Sequence, residues 1–198
     1  MPRSEFLTYP PQEILAKDYT DYSKHTMHSD EIYIEAQASS AIEGLYDFQS
    51  IKENQAAITY LVSVQKLDES AILDAHLVLM GRHPDKFPGA YRSHNVRVGY
   101  YIAPEYFAVP GLMQEFMQFL QRQDISPTVK AGWAHAWFEH IHPFADGNGR
   151  VGRAIVSAIL KRPWAPSVLA NRDYYYDQLG FASPSGWMAW FEETIQNA

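Results

Sequence analysis

Only one stretch of this 198-residue chain reads as strand; everything else with a regular apolar pattern reads as helix. Val96, Arg97 and Val98 alternate, Gly99 follows, and Tyr100, Tyr101 and Ile102 are β-prone, which spells a single short hairpin. Elsewhere apolar residues recur at helical spacing over about 29–43, 50–67, 69–80, 110–122, 127–140, 148–161, 172–180 and 184–196. The expected fold class is therefore mostly α, with one inserted β-hairpin. Punctuation supports these bounds: Gly44 suits the residue just past a helix end, and Gly81 closes a later helix. Ser50 with Glu53 has the form of a capping box, while Ser126-Pro127 and Ser183-Pro184 each offer an N-cap followed by proline. Residues 1–28 are rich in Pro, Tyr and polar residues and read as an irregular lead-in packed through its tyrosines, ahead of one domain over 29–198.

Composition narrows the function. Apolar residues are 46% of the chain and aromatics 14%, with 5 Trp, 13 Tyr and 10 Phe, enough for one substantial core. A balance of 16 basic against 23 acidic side chains, formally −7, speaks against nucleic acid or an anionic membrane as partner. The absence of cysteine excludes disulfides, zinc–thiolate sites and cysteine nucleophiles. Neither a signal-like leader nor an apolar run long enough for a bilayer is visible, so a soluble, cytoplasmic chain is expected.

The chemistry concentrates between two apolar helices, in the run His142, Pro143, Phe144, Ala145, Asp146, Gly147, Asn148, Gly149, Arg150, Val151, Gly152, Arg153. His142 closes one helix, Pro143 breaks it, and a short turn leads to a fresh helix N-terminus. Gly147 and Gly149 let an anion approach their amides, and the next helix presents unpaired N–H groups at its positive end. Arg150 and Arg153 oppose the helix dipole there, which a bland loop gives no reason to select, but two guanidinium forks beside an amide nest suit a polyphosphate. Asp146 is a hard oxygen ligand at the same rim, as Mg²⁺ with a nucleotide needs, and His142 is suited to take a hydroxyl proton. Gly147, Gly149 and Gly152 also fit a dinucleotide pattern, but no βαβ unit surrounds them. His135, Glu139 and His140 resemble a zinc motif with one residue too many and read as helix packing plus a surface histidine.

These twelve residues resemble the signature of the Fic (Fido) family, His-Pro-Phe-x-Asp/Glu-Gly-Asn-Gly-Arg-x-x-Arg, with every specified position filled. The resemblance extends to Gly89–Arg92 and Val96, Arg97, Val98 and Gly99, similar to the family's target-binding flap, and to Tyr175 and Tyr176, similar to its adenine-side tyrosine pair. Ser183 stands where some members place an asparagine. Death-on-curing kinases of the same family replace the second glycine by lysine; here it is Gly149. The resemblance implies a Fic/Fido helical bundle and adenylylation, in which a target hydroxyl attacks the α-phosphate of Mg²⁺-bound ATP. Under it His142 is the general base, Asp146 the Mg²⁺ ligand, Gly147, Asn148 and Gly149 the anion nest, Arg150 a phosphate contact, and Arg153 the holder of the γ-phosphate.

Upstream, Ser39, Glu43 and Gly44 match the family's inhibitory motif, in the class that carries its inhibitory helix (about 29–43) on the N-terminal side. Glu43 at a helix end can take the Arg153 fork that would otherwise hold the γ-phosphate. The same residues also allow Glu43 to orient water for removal of AMP, and an idle nucleotide-binding module is a third reading, opposed by the intact His142 and Asp146. A homo-oligomer burying the brake is a regulatory route open to such a chain.

Overall fold

The computed structural model describes residues 4–17 and 25–196. The ten α-helices among the described residues are α1 (Gln12–Leu15), α2 (Ser29–Ile42), α3 (Phe48–Ser63), α4 (Glu69–Met80), α5 (Val109–Gln121), α6 (Pro127–Ile141), α7 (Asn148–Leu160), α8 (Ala165–Ala170), α9 (Arg172–Phe181) and α10 (Pro184–Gln196). The strands β1 (Arg97–Val98) and β2 (Tyr101–Ile102) form the one sheet among the described residues, antiparallel, with Arg97 opposite Ile102 and Val98 opposite Tyr101. A helical bundle with one small hairpin is the observed class, as the patterning implied.

Helix α6 is the spine. Trp133, Trp137, Phe138 and Ile141 are fully buried, and α5, α7 and α10 pack around it, so it is buried nearly all round. Ser126 caps its start by accepting from the Val129 amide at 3.3 Å, with Pro127 in the first turn. Helix α2 lies against α3, α7 and α8. It ends in a Schellman turn: the Gly44 amide bonds Ala41 O at 2.9 Å and the Leu45 amide bonds Ser40 O at 3.0 Å, with Gly44 at φ 76°.

Some local expectations are corrected. Helix α3 starts at Phe48, because Asp47 rather than Ser50 is its cap, accepting the Ser50 amide at 2.9 Å. It ends at Ser63, where Val64 turns extended, and Asp68 then caps α4 through the Ala71 amide at 3.1 Å. Gly81 keeps a right-handed conformation and does not make a left-handed cap. Helix α8 was hidden by Pro163 and Pro166, although Pro166 sits in the first turn, where proline is tolerated.

The lead-in is fastened by Phe6 more than by tyrosine. Phe6 is fully buried against Trp133 and His140, at ring separations of 5.1 and 5.0 Å, worth about 2 kcal/mol of apolar burial. Tyr9 meets Phe119 and Trp137 edge-on, and the Trp133 indole donates to Thr8 O at 2.8 Å. Tyr19 and Tyr22 lie outside the described residues.

Candidate active site

The turn between α6 and α7 is held from four directions. Its first residue, His142, adopts the left-handed conformation (φ 51°, ψ 60°), unfavourable for a side chain-bearing residue. Arg92 offsets that cost: its Nε donates to His142 O at 2.8 Å, its terminal nitrogens reach Pro104 O and His94 O, and its own amide donates to Pro143 O at 2.9 Å. Asn148 staples the turn across its middle, accepting from the Phe144 amide at 2.9 Å and donating to Phe144 O at 3.0 Å. His76 of α4 stacks on Phe144 at 3.7 Å and lies 3.1 Å from Asp146 O through Nε2. Since the Gly89 amide donates to His76 Nδ1 at 3.0 Å, the ring proton belongs on Nε2, and burial pushes the imidazole down to about 4, keeping it neutral. Gly147, at φ 80°, makes the final bend, and a Cβ there would crowd Leu79 and Met80.

At the head of α7 the first intrahelical bond is Val151 N to Gly147 O, so the Asn148, Gly149 and Arg150 amides lie ahead of the helical ladder. Arg150 is buried beside them with little to bind: Asp146 Oδ1 and Met80 Sδ stand 3.5 Å from its terminal nitrogen, and its Nε has no partner. Arg153, fully buried, is saturated instead. It donates from Nε to Ser39 Oγ (2.9 Å), from one terminal nitrogen to Ser39 O (3.0 Å) and Glu43 Oε1 (2.6 Å), and from the other to Tyr175 Oη (3.4 Å). Burial alone would raise the Glu43 carboxyl, but the charge and hydrogen bond of Arg153, with Arg150 and Arg172 behind, hold it below the usual range. A Cβ on Gly149 would collide with Glu43 Oε1, so the carboxylate sits over the N-terminal turn of α7.

The His142 ring faces the Glu139 carbonyl through Nδ1 at 3.4 Å, which leaves Nε2 as the open acceptor. Burial pushes this imidazole down to about 4, so it is neutral at physiological pH and able to accept a proton. Glu139 is itself pushed up to about 8 by burial. The hairpin arches over this region, tied to α6 by Tyr101 Oη donating to His140 O at 2.8 Å. Between it and α9 lies a cavity of about 450 Å³ lined by Tyr100, Tyr101, Glu139, Tyr176 and Phe181 among others.

The structure thus gathers His142, Asp146, Gly147, Asn148, Gly149, Arg150, Arg153, Ser39, Glu43 and Gly44 around one turn, with Val96, Arg97, Val98 and Gly99 on the overhanging hairpin. The tyrosine pair divides. Tyr176 is partly exposed and lines the cavity, whereas Tyr175 is buried and hydrogen-bonds His135 at 2.8 Å. Of the three tyrosines at 174–176, only Tyr175 is buried. Nor is His140 a surface histidine: it is 5% exposed, its Nδ1 on Ala136 O at 2.6 Å. Arg92, grouped by sequence with the flap segment, is instead buried and anchors the turn, and His76 was missed; a histidine on the apolar face of α4 was the only signal of the latter.

A helical bundle that displays such a turn between its two central helices, under a hairpin, defines a recognisable class of domain. Residues 66–160, just under half of the chain, match the Fic/DOC family. It is similar to "Protein adenylyltransferase Fic" of Drosophila erecta, 37% identical over 129 residues covering 61% of this chain and 26% of the fly protein. The Drosophila melanogaster protein of that name is 36% identical with the same coverage. The chain spans about a quarter of the length of these curated relatives. Among solved structures it is similar to a Fic family protein from Desulfovibrio desulfuricans G20 (TM-score 0.76, 25% identity, 86% of this chain and 64% of that one). It shares its fold with IbpAFic2 covalently tethered to Cdc42 (TM-score 0.69, 20% identity, 98% and 73%). Among the described residues no helix is long and apolar enough to cross a membrane, and no group of three or more His, Asp or Glu could hold a metal by itself.

Proposed function

We propose that the chain is a protein adenylyltransferase, moving AMP from ATP to a Tyr, Thr or Ser hydroxyl of a target protein and restrained in cis by Glu43. The observation that carries the reading is the contrast of the two arginines. Arg150 is a buried cation with an unpartnered Nε beside the open amides of α7, while Arg153 is already engaged by Glu43. A polyphosphate supplies the acceptors the first lacks and competes for the second. Names of relatives at 36–37% identity point the same way.

In this reading the target hydroxyl attacks the α-phosphorus, its proton passes to Nε2 of His142, and the bond to the bridging oxygen breaks as pyrophosphate leaves. The α7 amides and Arg150 stabilise the charge that develops on the phosphoryl oxygens. Arg153 orients the γ-phosphate once Glu43 withdraws. The partly exposed Asp146 carboxylate, 46% accessible with one oxygen on the Gly147 amide at 2.6 Å, fits a Mg²⁺ shared with the phosphates. Such an ion would neutralise phosphate charge. The cavity beside Tyr176 suits the nucleoside, and the exposed rim of the hairpin suits an extended target segment adding to it by backbone pairing. A cytoplasmic setting belongs to the same reading. Incubating Glu43→Gly with ATP and Mg²⁺ and reading AMP addition by intact mass tests it. Addition is expected, and its absence refutes the assignment.

A further inference from the structure

Glu43, which caps the C-terminus of α2, continues a polar stripe of that helix, Glu35 and Ser39, each one helical turn from the next. They face a matching stripe of α7 that runs the opposite way. Glu35 accepts from Ser157 Oγ at 3.0 Å, Ser39 accepts from Arg153 Nε at 2.9 Å, and Glu43 reaches Arg153 over Gly149. Glu35 has no solvent exposure, and its second oxygen accepts the amides of Trp164 and Ala165, both at 2.7 Å. One carboxylate thereby joins α2, α7 and the start of α8.

Between the buried Ile32 and Ile42 at its two ends, most other buried side chains of α2 are small: Ala36, Ala38, Ser40 and Ala41. Ser39 is held by Arg153, and Arg172 Nε donates to Ile42 O at 2.6 Å, so the C-terminal half is tied to the site while Glu35 ties the helix two turns upstream. Asn54 of α3 adds a neutral pin, donating to Ala36 O and Ser40 Oγ at 3.1 and 3.2 Å, but its own Oδ1 is unpartnered. Moving α2 by one turn, about 5.4 Å, would strip the buried Glu35 carboxyl group of all three partners and leave two amides and a hydroxyl unpaired, so Glu35 fixes the register. Resting on the adenylyltransferase reading, we propose that Glu35 is the positioning residue of the brake: by locking α2 to Ser157, Trp164 and Ala165 two turns upstream, it holds Glu43 on Arg153.

The test is Glu35→Leu, which keeps much of the volume but offers no acceptor to the Trp164 and Ala165 amides or to the Ser157 hydroxyl. AMP addition at a rate at least about five-fold above the unmodified chain is expected, below that of Glu43→Gly and abolished by adding His142→Ala. Glu35→Leu combined with Glu43→Gly is expected within about two-fold of Glu43→Gly alone. A merely structural glutamate would lower activity in both backgrounds, and that result, or an unchanged rate in folded Glu35→Leu, overturns the proposal. Should Glu35→Leu not fold, Ser157→Ala takes its place, with a gain supporting and no gain overturning. Hydrogen exchange at the amides of 38–43 provides a readout independent of chemistry: faster exchange is expected, and unchanged exchange overturns the proposal. If Glu43→Gly itself adds no AMP, the functional reading fails, while the exchange result still decides whether Glu35 holds α2.

Discussion

The turn between α6 and α7 and the hairpin above it are built on opposite plans. The turn is over-determined: Arg92, Asn148 and His76 each bond its backbone, Phe144 is fully buried, and the strained His142 has no room to relax. The hairpin has strands of two residues each, a Tyr100 that is 95% exposed, and one side-chain tether to the bundle, Tyr101 to His140 O, among the described residues. Groups that must meet a phosphate within fractions of an ångström sit on the rigid part, whereas a surface that must accept another chain sits on the part that can adjust.

The largest break in that contrast comes from Arg92→Ala. It removes a buried guanidinium from the carbonyls at the end of α6, and a loss of about 3 kcal/mol is expected, lowering the melting temperature by about 9 °C. AMP addition in the Glu43→Gly background should fall with it, as His142 loses its anchor. A drop under about 2 °C would show that the turn holds itself.

Acid is the next lever. Burial pushes His76 and His142 down to about 4 and His135 to about 3, from an ordinary 6.5. The unfolded chain therefore takes up these protons first, so the stability they lend is present above pH 6.5 and is lost as pH falls toward 4. Glu139 works in the other direction: raised from 4.5 to about 8 by burial, it lends stability below pH 4.5 that is lost as pH rises to 8. Glu35, also raised by burial, works in the same direction as Glu139, and between pH 6.5 and 4.5 the three histidines outweigh the two acids. Melting temperature should decline on acidification there, and Glu139→Gln should steepen the decline; a flatter profile in the variant would contradict these environments.

His76→Ala sharpens the comparison at smaller cost. It deletes the stack on Phe144 and the bonds to Asp146 O and Gly89 N, about 2 kcal/mol, or about 6 °C of melting temperature. Smallest of all is Tyr100→Ala on the hairpin, expected within about 0.5 kcal/mol by thermal denaturation because the side chain is in solvent. Destabilisation comparable to His76→Ala would mean that the hairpin is as firmly built as the turn.

Much of this was legible beforehand because it is local. Helix periods, the proline N-caps, the Gly44 end of α2, the hairpin and the run from His142 to Arg153 are written in adjacent residues. What escaped notice depends on distant partners. Nothing near Arg92 in sequence announces that the carbonyls of 141 and 142 will fill its donors, and nothing near His76 announces Phe144. Tyr175 stands beside Tyr176 in sequence, yet on a helix successive residues diverge, so one ring enters the core under Arg153 while the other lines the cavity. Nothing near Glu35 in sequence announces its partners, since Ser157, Trp164 and Ala165 lie far along the chain.

The central claim is that a neutral His142 beside the α7 amides activates a hydroxyl toward bound nucleotide when Glu43 no longer occupies Arg153. Intact-mass measurement of Glu43→Gly, and of Glu43→Gly with His142→Ala, after incubation with ATP and Mg²⁺ addresses it most directly. Whole AMP increments on the first and none on the second are predicted; equal labelling of the two, or none on either, would contradict the account.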